Sequence, residues 1–521
     1  MATSPGRRPD PVAVTVTLDR HGSTDLSTQL ADALRADALE GRLRRGDRLP
    51  STRELGRRLG VSRTVTAAAY QQLYGEGWLQ PSHGAGTYVA AAPAPGRAAR
   101  GAHDGRRRTE QAQRGRLESR THSSGIPDLR GALAVGDVVD LRPGLPLSDA
   151  IEPAMWRRAW RAAGHSLPLR RRQDAGTAEY RTVVADHLLR HRGLHVPDPL
   201  STDGVLATGG TATALLELAR AVLRPGRPVG VESPGWPRAV RCLQACGLEA
   251  VPVPVDEYGL VPDLVPPHVQ AVYVTPSHQY PLGARLPAER RLRLLDLAAR
   301  HDWLLIEDDY DGELRYDVAP PPLLAALHRE RVVHLGSTSK ILTPALDTGW
   351  MVAPHAVAAA VLDHRAATSP ALSHSGQHAV TEMARNGDLA RHMRRLRKTL
   401  ARRRDHAAAA LGAIGVTIPG DNAGAHLVIP LTSHAQEQAV VRALVTAGLI
   451  TDALSSYSGP GSPQERPCGL VLGITTGTET EYHHHLAKLT RTVHDLVTQP
   501  ARPTARTNTA RTSDSNAHLP S

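Results

Sequence analysis

The 521-residue chain has no phenylalanine, three cysteines and, beside a large arginine content, only three lysines. Each shortage excludes something. Cys242, Cys246 and Cys468 are too few for a disulfide framework and form no metal-binding quartet, so a reducing cytoplasm fits. No apolar segment near the N-terminus resembles a signal peptide, and none approaches the roughly 18–20 residues that span a bilayer, so no membrane partner is expected. Nothing physical accounts for the missing phenylalanine. The scarcity of lysine draws attention to where lysine was kept: Lys340 closes the segment Arg331-Val-Val-His-Leu-Gly-Ser-Thr-Ser-Lys340. Arginine stays protonated, whereas a desolvated lysine loses its proton and attacks an aldehyde.

The charge is uneven. Of a net +11, residues 1–130 hold 21 arginines against 13 acids, or +8, which leaves +3 for the rest. A basic block joined to a folded motif suggests nucleic acid. Such a motif lies in residues 23–90. Leu26, Leu30, Ala33, Leu34 and Ala38 recur at helical spacing ahead of Gly41. Ser51, with Glu54 three residues on, starts a second helix that turns Leu55 and Leu59 inward. After a Gly60-Val61-Ser62 turn, a third helix buries Val65, Ala69 and Leu73 and turns Arg63, Thr64 and Thr66 outward, as a major-groove reader requires. Gly77 to Val89 reads as two short strands around a Gly-rich tip. The whole is a winged helix-turn-helix.

Residues 1–22 read as a tail. Residues 91–135, rich in Ala, Pro, Gly, Arg and Ser, read as a flexible linker whose Arg106-Arg107-Arg108 run is a solvated stretch. From 136 to 497 helices alternate with β-rich runs such as Ala271-Val-Tyr-Val and Val332-Val-His-Leu, the pattern of an α/β domain with a mostly parallel sheet. Residues 498–521 read as a disordered tail. In the α/β part, Trp303-Leu-Leu-Ile-Glu-Asp-Asp-Tyr310 is an apolar strand ending in acids, suited to presenting a carboxylate to a pyridinium nitrogen. With Lys340 it points to pyridoxal 5'-phosphate. Alternation places Asp308 and Tyr310 on one side of the strand and Glu307 on the other, where it is structural.

In this order the motifs resemble the MocR subfamily of GntR-type bacterial transcription regulators, a winged helix fused to a fold-type-I aminotransferase-like domain. Gly41-Arg-Leu-Arg-Arg-Gly46-Asp-Arg-Leu-Pro-Ser-Thr-Arg53-Glu-Leu and Gly60-Val-Ser-Arg63-Thr-Val look like the GntR signature. Tyr273-Val-Thr-Pro276-Ser-His278-Gln279-Tyr-Pro281-Leu-Gly283 looks like the family's His-Gln-x-Pro-x-Gly turn. The resemblance implies DNA contacts at Arg53, Ser62, Arg63, Thr64, His83 and Gly84. It implies a Schiff base at Lys340, pyridinium and phenolate partners in Asp308 and Tyr310, and ring stacking by Trp236. His278 would lie beside the cofactor, and Gly210, Thr211, Ser337 and Ser339 would hold its phosphate. It further implies a cytoplasmic homodimer on a double-stranded operator, responsive to an amino compound or to the cofactor itself.

Three departures bear on function. Where the family has a phosphate-binding arginine seven residues after the lysine, this chain has Asp347. Where aminotransferases often carry an arginine for the substrate carboxylate it has Val471, so full transaminase turnover is not expected. Where a tyrosine usually reaches the phosphate it reads Arg170-Arg-Arg172-Gln-Asp174. Two alternatives therefore stand beside a cofactor-binding regulator: an aminotransferase with an accessory DNA-binding arm, and a regulator whose degenerate site no longer takes the cofactor.

Overall fold

In the computed structural model, residues 11–20, 25–82, 86–90, 138–165, 172–316, 320–459 and 466–497 are described. His83 and Gly84, the stretch 91–135, Arg170 and residues 498–521 lie outside them.

Capping chemistry sets the helices of the N-terminal unit. Asp25 accepts from the Ser27 N–H at 3.1 Å and opens α1 (Leu26–Leu39). Leu30, Leu34 and Ala38 are buried as expected, while Leu26 and Ala33 are only partly covered and Ala31 takes a core place. Ser51 accepts from the Glu54 N–H at 3.2 Å to open α2 (Thr52–Leu59), which Gly60 ends in the left-handed region at φ 64°. Ser62 accepts from Val65 N–H at 3.3 Å to open α3 (Arg63–Gly75). Ala69 and Leu73 are buried, but Thr66 corrects the outward expectation. Its hydroxyl turns in and donates to the Thr52 carbonyl at 2.7 Å, pinning α3 to α2, while Val65 is only partly covered. The wing pairs β1 (Arg48–Leu49), β2 (Leu79–Ser82) and β3 (Gly86–Val89) in the order β1-β3-β2. Part of the expected N-terminal tail belongs to this unit. Val14 is buried in its core, and the Val12 N–H bonds the Arg48 carbonyl at 2.8 Å.

The α/β unit begins with β4 (Val139–Asp140), which pairs with Leu449–Ile450. Its main sheet uses β5 (Leu206–Thr208), β6 (Pro228–Ser233), β7 (Glu249–Asp256), β8 (Gly259–Leu260), β9 (Ala271–Val274), β10 (Leu304–Asp309), β11 (Val332–Ser337) and β12 (Gly349–Val352). Their order is β5-β12-β11-β10-β9-β6-β7-β8, with β7, β6, β9, β10 and β11 mutually parallel and β12 antiparallel to both neighbours. Helices cover both faces, so the central strands are apolar on both. Leu305 enters one core with Val272 and Trp303, while Ile306 enters the other with Tyr273 and Leu335. A smaller sheet, His426–Pro430 with Gly469–Gly473 and Asp452–Ala453, belongs to the C-terminal part. Polar side chains gather at the carboxyl ends of the parallel strands, where open α/β sheets leave a crevice.

Candidate functional site

Alternation along β10 turns Asp308 to the same face as Ile306 and Glu307 to the other. Glu307 accepts from the Leu324 and Ala325 N–H groups at 2.6 and 3.1 Å, a structural role. Asp308 accepts from the Thr211 hydroxyl at 3.3 Å and from the Tyr273 hydroxyl. Desolvation pushes its carboxyl up to about 7, against the pull of those two donors. Glu232, at the end of β6, is also raised to about 7 by burial, although it accepts from the Thr275 N–H at 3.2 Å and from Gln279 at 3.4 Å.

Both acids bind a proton more tightly folded than unfolded. Their contribution to stability is complete below the ordinary carboxylate range and is lost as pH rises from there to about 7. Asp308→Asn is therefore expected to lose less stability between about pH 5 and pH 8 than the native chain. Urea unfolding at both values checks it, and equal losses would show that Asp308 is ionised at no cost.

Lys340 follows β11 and is partly buried. Its ammonium donates to the Gly144 carbonyl, and desolvation lowers its pKa while Asp311 and Asp308 pull it up. Gly144, at φ 102°, was invisible as a site residue; a Cβ there would meet the Lys340 Nζ at 3.3 Å. Gly210, at φ 99°, opens the helix Thr211–Ala221. A Cβ on it would meet the Ser337 Oγ at 3.5 Å, and Ser337 in turn donates to Ser339 at 2.8 Å. Helix N-terminus, glycine and two hydroxyls thus form one cradle with anion-binding chemistry. Asp347 stands exposed, in the left-handed region at φ 46°, after the short turn Pro344–Leu346. Arg172 donates to the Pro370 carbonyl.

The turn expected beside the cofactor is tied down by partners distant in sequence. His278 Nδ1 lies 2.8 Å from Asp311 Oδ2 and 3.0 Å from the Tyr310 hydroxyl. Trp236 stacks on Tyr273, with ring centres 6.4 Å apart at 23°. Tyr280 meets Tyr310 edge-on at 5.5 Å. Next to Asp308, Asp309 turns to the opposite face and takes both arms of Arg192, whose Nε lies at 2.7 Å. Sequence reading missed Tyr273, Arg192, Asp311 and His426. Only the Asp-Asp-Tyr-Asp run signalled the third. Val471 is fully buried among Val428, Leu454 and Tyr457, so its position is apolar. On the winged helix, Arg53, Ser62, Arg63 and Thr64 are all exposed, the last three at the N-terminus of α3.

Comparison with known proteins matches both units. The family described as aminotransferase class I and II covers residues 137–463, and that of bacterial regulatory proteins, gntR family, covers residues 26–89. The chain is 34% identical to the HTH-type pyridoxine biosynthesis transcriptional regulator PdxR of Corynebacterium glutamicum, over 92% of this chain and 98% of that one. It is 31% identical to the probable rhizopine catabolism regulatory protein MocR of Rhizobium meliloti, over 88% of this chain and 91% of that one. Among solved structures, kynurenine aminotransferase of Pyrococcus horikoshii superposes with a TM-score of 0.62 at 24% identity, over 70% of this chain and 93% of that one, a likeness of fold.

Proposed function

Because the chain belongs to the MocR- and PdxR-type GntR transcriptional regulators, we propose that its aminotransferase-like domain binds pyridoxal 5'-phosphate and that occupancy sets how two winged helices sit on operator DNA. The observation that carries this reading is the partly buried Lys340, its pKa lowered by desolvation, within the field of the buried acids Asp308 and Asp311. The remaining residues fit the group. The cradle of Gly210, Thr211, Ser337 and Ser339 suits its phosphate, Asp308 its ring N–H, Tyr310 its phenolic oxygen, His278 a place beside that hydroxyl, and Trp236 a ring face. When bound, the cofactor supplies an aldehyde for an amine and a protonated ring that withdraws electrons.

A ligand role is favoured over turnover because the apolar surroundings of Val471 offer no cation for a substrate carboxylate. Asp347 is exposed, so its carboxylate is not desolvated against the cradle, which weighs against a degenerate site. The names of the relatives suggest a cofactor vitamer or an amino compound as effector. Regulation then requires that the ligand bind two arrangements of the protein with different affinity. A homodimer would present two copies of α3 to two half-sites, with Arg53, Ser62 and Thr64 on phosphates and Arg63 on a base edge; the wing residues His83 and Gly84 complete the proposed contacts.

The test is operator selection from random DNA, followed by anisotropy titrations with and without the cofactor. Arg63→Ala is expected to lose about 1–3 kcal/mol of specific binding. Pyridoxal phosphate is expected to change the affinity of the native chain by about 5–150-fold. Unchanged binding by Arg63→Ala removes that side chain from base reading, and indifference to the cofactor removes the sensing role.

A further inference from the structure

Three buried side chains from separate parts of the chain meet below the Tyr310 side of the crevice. His278 comes from the turn after β9, Asp311 from just beyond β10 and His426 from the start of the smaller sheet, and each offers a ligand atom within 4.8 Å of the others. We infer that His278, Asp311 and His426 form a site for one borderline divalent transition ion such as zinc.

Two imidazoles and one carboxylate are a donor set for such ions, while calcium and magnesium prefer oxygen alone. The tautomer of His426 suits it. His426 Nε2 lies 3.0 Å from the Pro281 carbonyl, an acceptor only, so Nε2 carries the proton and Nδ1 keeps its lone pair. That carbonyl is the outer-shell partner that orients ligating histidines elsewhere. Asp311 is 2% exposed, yet its Oδ1 has no hydrogen-bond partner among the described residues, a costly state for a buried carboxylate oxygen that coordination would relieve. Backbone has been cleared for the cluster. Gly424 holds φ 77°, and a Cβ there would overlap both His278 Cε1 and Asp311 Oδ2, so only glycine lets the three converge. A metal here would lie one residue from Tyr310, whose hydroxyl shares His278 Nδ1, and so would be sensed in the cofactor crevice.

The test uses zinc itself, in competition with a chromogenic chelator, on the full chain carrying His406→Ala and His483→Ala. Those two changes remove an exposed imidazole pair, with ring centres 4.1 Å apart, that would bind zinc on its own account. One ion per chain is expected, with at least a tenfold loss of affinity in Asp311→Asn and again in His426→Gln. Zinc X-ray absorption on the native fold serves as the second measurement, because either buried replacement is open to misfolding. A first shell of nitrogen and oxygen with two imidazoles supports the site. A shell containing sulfur, no bound ion, or an affinity untouched in both folded variants overturns it.

Discussion

Adding pyridoxal phosphate to the native chain is expected to raise a visible absorption band, and Lys340→Ala is expected to show none. Covalent attachment needs an amine that is unprotonated part of the time. Burial supplies this at Lys340 by lowering its pKa, while the Gly144 carbonyl fixes where the Nζ sits. Lys398 is exposed on the surface, and Lys488 lies in the helix Glu479–Val497. Cofactor affinity should fall about 100-fold, or ~2.7 kcal/mol, in the alanine variant. Lys340→Arg is the sharper control, since it keeps the charge and much of the volume but cannot give up its proton. A band surviving in both variants would transfer the attachment to another lysine. No band in any of the three would leave the aminotransferase-like domain without its proposed cofactor, and DNA binding as the remaining function.

Arg192→Leu is expected to cost about 3–5 kcal/mol of stability. Its guanidinium is fully buried, holds both oxygens of Asp309, and donates to the Ser277 hydroxyl at 2.9 Å and the Pro321 carbonyl at 3.3 Å. Removing it strands a carboxylate that burial already pushes upward in pKa and frees the residue next to His278. The pair itself is worth less than its breakage. Two charges withdrawn from water recover little beyond their desolvation, so Arg192→Leu combined with Asp309→Leu should regain most of the loss. Urea unfolding of the two single variants and the double variant measures the coupling. Additive losses would show that Arg192 acts through its contacts with Ser277 and Pro321 and not through Asp309.

Much was legible in the chain because it is written in local geometry. The cap at Ser51, the turn at Gly60-Val61-Ser62 and the alternation that separates Asp308 from Glu307 depend on residues a few positions apart, and each stands as expected. The motifs around Arg63, His278, Asp308 and Lys340 likewise carry the family, because a reader helix and a lysine-centred crevice demand particular residue types at fixed spacing. Thr66 departed from helical spacing for a tertiary reason: the Thr52 carbonyl at the start of α2 gave its hydroxyl a partner inside.

What the tertiary structure alone decided is who meets whom across the sheet. Lys340 meets Gly144 across 196 positions, and Arg192 meets Asp309 across 117. The order that sets β9 beside β10 gives Asp308 the Tyr273 hydroxyl, and the return of the chain through Gly424 brings His426 to His278 and Asp311. Residue type and spacing thus determined which side chains have the chemistry. Their protonation and partners were decided by burial and by strand order, since desolvation depends on what finally covers a group and period-two or period-3.6 patterns carry no record of that.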